Sequence, residues 1–274
     1  SNWGSVAAPA PPTVTYSPFY AASYSGADGA ATSYLTDEFA NSAGSTHSTD
    51  ITGPHGEASV LSHIIPAYNG GAGTATYGGR WEPNAAVPDV VAGETLWVRA
   101  FLYFPTAFCA GHSTESGGWS KLKFMRMQWG PDALPSRATL QLNITNGACG
   151  IGQPSVHGMT LENFAGAQNQ WFSTPPAALP RDQWVSIQFA MKIGSDGWIR
   201  GWTDSTYLGQ IDVDTTPNVS TFNAMFLGNH WNGGSLQANE FYSQDVIITK
   251  DAPNTLDSGS RPYISPTTKA GDFV

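Results

Sequence analysis

Residues 95–104 read TLWVRAFLYF, and their alternation decides the fold. Leu96, Val98, Ala100, Leu102 and Phe104 make one wholly apolar face, while Trp97, Arg99, Phe101 and Tyr103 make the other. A two-residue repeat sustained over this length is the mark of a strand with one face in a core. WVSIQFAMKI (184–193) repeats it, setting Val185, Ile187, Phe189, Met191 and Ile193 against Trp184, Ser186, Gln188, Ala190 and Lys192. ATLQLNI (138–144) does so again, with Leu140, Leu142 and Ile144 opposed to Thr139, Gln141 and Asn143. Further strands are predicted at 34–40, 58–65, 74–81, 121–129, 198–203, 207–213, 222–229 and 241–249, separated by turn signals such as GSDG at 194–197 and NGG at 232–234. In KLKFMRMQW (121–129) the repeat changes phase near Phe124, which predicts a bulge or a strand buried on both faces. No segment carries a helical period of useful length. The expectation is an all-β fold of two antiparallel sheets packed as a sandwich.

Composition sets the outer bounds. The 274 residues are 41% hydrophobic and include ten Trp, ten Tyr and thirteen Phe, enough apolar area for a core and against disorder. Only 12% are charged, about half the usual share, so Ser, Thr, Asn, Gln and Gly must supply most of the polar surface. A net charge of −9 argues against a nucleic-acid partner, whose phosphates want a basic surface. No apolar run reaches the roughly 18 residues that would span a bilayer, so membrane insertion is not expected. The two cysteines, Cys109 and Cys149, are too few for a disulfide scaffold; a bonded pair and two free buried thiols both remain open.

The ends differ from the middle. Residues 1–30 begin SNWGSVAAPAPP and read as an extended Pro/Ala-rich arm. Residues 251–274 lack periodicity and read as a C-terminal tail, expected to dock on the body or on a neighbouring copy. Residues 31–250 are expected to form one all-β domain.

The order of elements is familiar. An acidic-aromatic segment (TDEFA, 36–40) precedes a strand with Trp and Arg that stops at Pro (LWVRAFLYFP, 96–105). A Lys-rich strand follows (121–129), then a Trp-led hairpin (QWVSIQFAMKIGSDGWIRGWTD, 183–204) and a late strand with one Asp (FYSQDVIIT, 241–249). The chain thereby resembles the concanavalin A-like lectin/glucanase jelly rolls, in the form seen in polysaccharide-lyase-like proteins such as glucuronan lyases. It departs from that pattern at Gln244-Asp245, where relatives often carry two acids, and it lacks the strict short motifs of alginate lyases.

The resemblance implies cleavage of uronic-acid chains by β-elimination, which needs the substrate carboxylate neutralised and a base and an acid flanking the sugar. Four of the twelve basic residues, Arg99, Lys121, Lys123 and Arg126, crowd into one short stretch. If the two strands carrying them are neighbours, an acidic protein holds a locally basic groove. Gln128, Gln141 and Asn143 extend it with neutral hydrogen-bonding groups, and Trp97 suits stacking on a sugar ring. Tyr103, His230 and Tyr242 are the candidate proton carriers. Plainer readings stand beside these: alternating Lys and Arg describe a solvated face, Trp97 and Phe101 a second packed layer, and NHWNGG (229–234) a turn. The resemblance also implies a structural calcium ion, for which Glu38 and Asp245 are the candidate oxygen ligands. His47, His55 and His63, with Glu57, fit no compact metal motif.

The resulting expectation is a secreted or surface-exposed glycan-recognising protein that either cleaves an acidic, uronate-containing polysaccharide by β-elimination or only binds it. The alternative is a non-catalytic structural or decoration protein of a virion, filament or cell surface, assembling with copies of itself or a host assembly through its arms. A glucanase-like hydrolase ranks behind both, because no closely spaced acidic pair of the E-x-D-x-x-E type occurs.

Overall fold

The computed structural model describes residues 16–18, 20–23, 26–28, 36–37, 46–65, 74–81, 89–108, 121–129, 138–145, 155–166, 169–171, 177–218, 222–232 and 239–273, with backbone alone for much of the second sheet. Strands are numbered β1 to β18 in chain order. The first sheet runs β14 (Thr206–Asp212), β13 (Trp198–Thr203), β12 (Trp184–Lys192), β6 (Thr95–Tyr103), β16 (Asn239–Thr249), β4 (Val60–Ile65) and β3 (Thr46–Ser48). β1 (Tyr20–Ala22) pairs with the other end of β16, beside Val246–Ile248. The second sheet runs β10 (Asn169–Trp171), β9 (Ser155–Glu162), β8 (Ala138–Thr145), β7 (Lys121–Trp129), β15 (Phe222–Asn232), β5 (Thr74–Trp81) and β2 (Thr36–Asp37), with β11 (Ala177–Ala178) also on β9. Every pairing is antiparallel. β17 (Thr255–Leu256) and β18 (Pro262–Tyr263) form a small hairpin, and a 3₁₀ turn spans Ala270–Phe273.

This is a jelly-roll β-sandwich. The apolar faces read from the sequence meet between the sheets: Leu96, Val98, Leu102, Val185, Ile187 and Phe189 from the first pack with Met125, Met127, Trp129, Met159 and Leu161 from the second. The phase change in β7 is a bulge, where the register with β8 shifts between Lys123 and Arg126. Among the described residues no helix is long and apolar enough to cross a membrane.

Several parts were not predicted, including the short strands β3, β10, β11, β17 and β18. β9 was absent from the expected strands, because Gly158 interrupts its alternation and a register shift offsets Val156 from Met159. Part of the predicted N-terminal arm is a strand, since β1 extends the first sheet. The C-terminal tail folds back over its own first sheet as a third layer. Tyr263, Ile264 and Ala270 pack there with Tyr16, Trp97, Ala190, Trp202 and Ile247 in a second apolar cluster. β6 and β12 are consequently buried on both faces.

Candidate functional site

The candidate residues divide between the two sheets. β6, which carries Trp97, Arg99 and Tyr103, is not a neighbour of β7, which carries Lys121, Lys123 and Arg126. The groove expected from adjacent strands therefore loses its β6 half: the segment after Tyr103 crosses from one sheet to the other.

On the first sheet, Arg99 is fully buried beneath the C-terminal tail. Its Nη1 donates to the carbonyls of Ser265 (2.7 Å) and Thr268 (2.6 Å). Its Nη2 donates to Asp245, at Oδ2 (2.7 Å) and at the backbone oxygen (3.1 Å). Burial pulls the guanidinium pKa down and the Asp245 charge opposes that pull. Arg99 is thus an internal fastening rather than a substrate ligand. Trp97 is buried in the second apolar cluster, which is the second-layer role and not a sugar platform.

Asp245 sits at a bulge of β16, where the register with β6 shifts between Gln244 and Ile247, and its backbone is left-handed at φ 56°. Its carboxylate also meets His55 Nε2 at 3.0 Å and accepts the Ala270 N–H. A carboxylate already facing a guanidinium, an imidazole and an amide donor does not fit a calcium ligand, because the cation would have to displace Arg99 from a sealed site. Glu38, Cys109 and Cys149 lie outside the described residues. His63 is buried against Phe241, bonded to Ser243 Oγ at 2.6 Å, and held neutral by burial with its pKa lowered to about 3. No group of three or more His, Cys, Asp or Glu able to hold a metal occurs among the described residues.

Tyr103 and Tyr242 are cross-strand partners on the first sheet, their rings 5.9 Å apart, with Trp184 on the far side of Tyr103 at 5.5 Å. Burial and the neighbouring Glu240 carboxylate raise the Tyr242 pKa far above its ordinary value, so the phenol holds its proton more tightly. His230 lies on the second sheet. The three expected proton carriers do not form one site.

The second sheet gathers what the first does not. Lys123 on β7 has His230 as its register partner on β15 and Asn143 as its partner on β8. Past the bulge, Arg126 is paired with Phe226 on β15 and with Gln141 on β8. Gln128 follows, opposite Thr139, and Lys121 opens the strand opposite Thr145. Met125, Met127 and Trp129 are buried in the core, so by the two-residue repeat positions 126 and 128 belong to the sheet's outer face. Thr76 on β5 joins the first of these rungs opposite His230, a placement with no signal in the sequence.

No family model and no curated protein matches the chain. Among solved structures it resembles an endo-β-1,4-glucuronan lyase from the fungus Trichoderma reesei, at 12% identity over 86% of this chain and 96% of that one, with a TM-score of 0.59. The alginate lyase Aly36B is similar at 13% identity over 70% and 80% of the two chains, with a TM-score of 0.49. The T. cruzi calreticulin globular domain matches at 13% identity over 86% and 88%, with a TM-score of 0.51. The chain has the jelly-roll fold found in polysaccharide lyases and in a calreticulin domain alike, and its chemistry has to be read from its own residues.

Proposed function

We propose that the protein binds an acidic, uronate-containing polysaccharide on the outer face of its second sheet and cleaves it there by β-elimination. The observation that carries this reading is the register of β15, β7 and β8, which sets His230, Lys123 and Asn143 on one rung and Arg126 and Gln141 on the next. Two cations, a titratable imidazole and two amides on adjacent strands are the groups such a reaction needs.

In the proposed reaction Arg126 and Gln141 bind and neutralise the carboxylate of the reacting unit, which acidifies the adjacent C5–H. His230 takes that proton, and the C–H electron pair becomes the C4=C5 double bond. The C4–O4 bond breaks, and Lys123 returns a proton to the departing oxygen. Every atom is accounted for: one chain becomes two shorter chains, one ending in a hydroxyl at the released oxygen and the other in the unsaturated unit, with no water consumed. The glucuronan lyase of the same fold lends support to the substrate class.

The test is incubation with glucuronan, alginate and other uronate polymers, following the ultraviolet absorbance of the unsaturated product. Rising absorbance on at least one polymer is the expected result. Flat absorbance on all of them, together with no binding to a glycan array, would end the proposal. The reading of a self-assembling decoration protein is served less well, because the C-terminal segment is folded onto the chain's own sheet.

A further inference from the structure

The two polar rungs of the second sheet are not parallel, and the gap between them has a particular floor. One rung runs Thr76, His230, Lys123, Asn143 and Gly158 across β5, β15, β7, β8 and β9. The other runs Arg80, Phe226, Arg126, Gln141 and Thr160 across the same strands. On β8 the rungs are the two residues from Gln141 to Asn143 apart, about 7 Å of strand. On β5 they are separated by the four residues from Thr76 to Arg80, about 14 Å. The register irregularities of β7, against β8 between Lys123 and Arg126 and against β15 between Leu227 and His230, open the wedge.

At the wide end of the wedge the intervening same-face positions on β5 and β15 are Gly78 and Gly228, which are register partners of each other. Two glycines facing one another inside long strands weaken a sheet, each by about 0.5–1 kcal/mol relative to Ala, and mid-strand glycine marks close approach by a ligand or another backbone. Here they leave a patch without side chains between a rung holding His230 and a rung holding Arg80 and Arg126.

We infer that the sugar unit next to the reacting one seats over the Gly78–Gly228 rung, and that Arg80 is a further binding residue that takes its carboxylate. The inference rests on the proposed function and adds a second subsite to it, so that the protein engages at least two consecutive acidic units. Neither glycine nor Arg80 stands out in the sequence; only the register brings them to the mouth of the wedge.

The test uses the full chain carrying His230→Ala, so that ligands are not cleaved, with calorimetric titration of trimers of glucuronate, mannuronate and guluronate. Gly228→Val, which adds bulk to the floor without opposing strand geometry, should weaken binding of the preferred trimer by tenfold or more. Arg80→Gln should weaken it about tenfold and leave the carboxyl-reduced, neutral trimer unaffected. Binding unchanged in both variants, or Arg80→Gln weakening the neutral trimer equally, would overturn the inference while leaving the proposed function standing. A parent chain that binds no uronate trimer, and in wild-type form cleaves no polymer, would instead overturn both. Should circular dichroism show that Gly228→Val does not fold, Arg80→Gln decides alone.

Discussion

The outer faces of the two sheets carry different arrangements. On the first sheet the C-terminal segment is laid across β6 and β12, and the polar groups of that face are taken up internally. Arg99 is held by Asp245 and two tail carbonyls, Gln188 Oε1 accepts the Ile264 N–H at 2.7 Å, and the Trp202 indole donates to Asp257 at 2.9 Å. On the second sheet the register lines up Lys123, Arg126, Gln141, Asn143 and His230 across three strands. Two of these residue types, Arg and Gln, therefore serve architecture on one face and are proposed to serve recognition on the other. On the first face it is the layer laid above, not the chemistry of the side chain, that makes them architectural.

Deleting residues 262–274 should break the comparison most severely. It removes Tyr263, Ile264 and Ala270 from the second apolar cluster and takes the tail carbonyls from Arg99. The expected outcome is loss of a cooperative thermal transition in near-ultraviolet circular dichroism; a truncated chain that melts like the full one would mean that the third layer contributes little.

Asp245→Ala comes next. Arg99 and Asp245 are both fully buried, and removing one partner strands the other charge, which typically costs about 3–5 kcal/mol. Urea denaturation should show that loss. A loss below about 1 kcal/mol would indicate that water reaches Arg99.

On the other face the same kind of substitution should spare stability. His230→Ala is expected to lower kcat/KM on the responsive uronate polymer by about 10²–10⁴-fold with little change in melting temperature. Equal loss of activity and of fold would make His230 structural and erase the distinction between the faces.

The smallest effect is one of pH. Burial alone would raise the Asp257 pKa, but hydrogen bonds from the Trp202 indole, the Arg261 side chain and the Arg261 and Gly259 amides bring it down to about 2. Because the folded value lies below the ordinary 3.8, the carboxylate stabilises the fold fully above about pH 4 and progressively less as pH falls toward 2. Asp257→Asn should flatten the stability profile in that window. A profile identical to that of the parent would place the titration elsewhere.

Much of the sandwich was legible in the sequence because strands have a period of two and a core needs one apolar face. TLWVRAFLYF and WVSIQFAMKI are cross-strand neighbours whose apolar faces lie in the core, as their alternation required. The phase change near Phe124 marked a true register shift. The polar faces were less readable. Trp97, Arg99, Phe101 and Tyr103 alternate as regularly as any binding face, and nothing local distinguishes a side chain facing solvent from one facing a third layer. The tail that makes the difference has no periodicity to announce it, and its hold on Arg99 is through backbone carbonyls, which every residue carries.

The sequence by itself determined that this protein is all-β, that its core lies between two antiparallel sheets, and that its few cations are unevenly placed, because alternation and composition are local properties. Tertiary structure decided that Arg99 is taken up inside the fold. Strand order sends β6 and β7 to different sheets, and register makes Lys123, His230 and Asn143 neighbours although they are far apart in the chain. Such pairing is fixed by hydrogen bonds between distant strands, and no short stretch of sequence contains both partners.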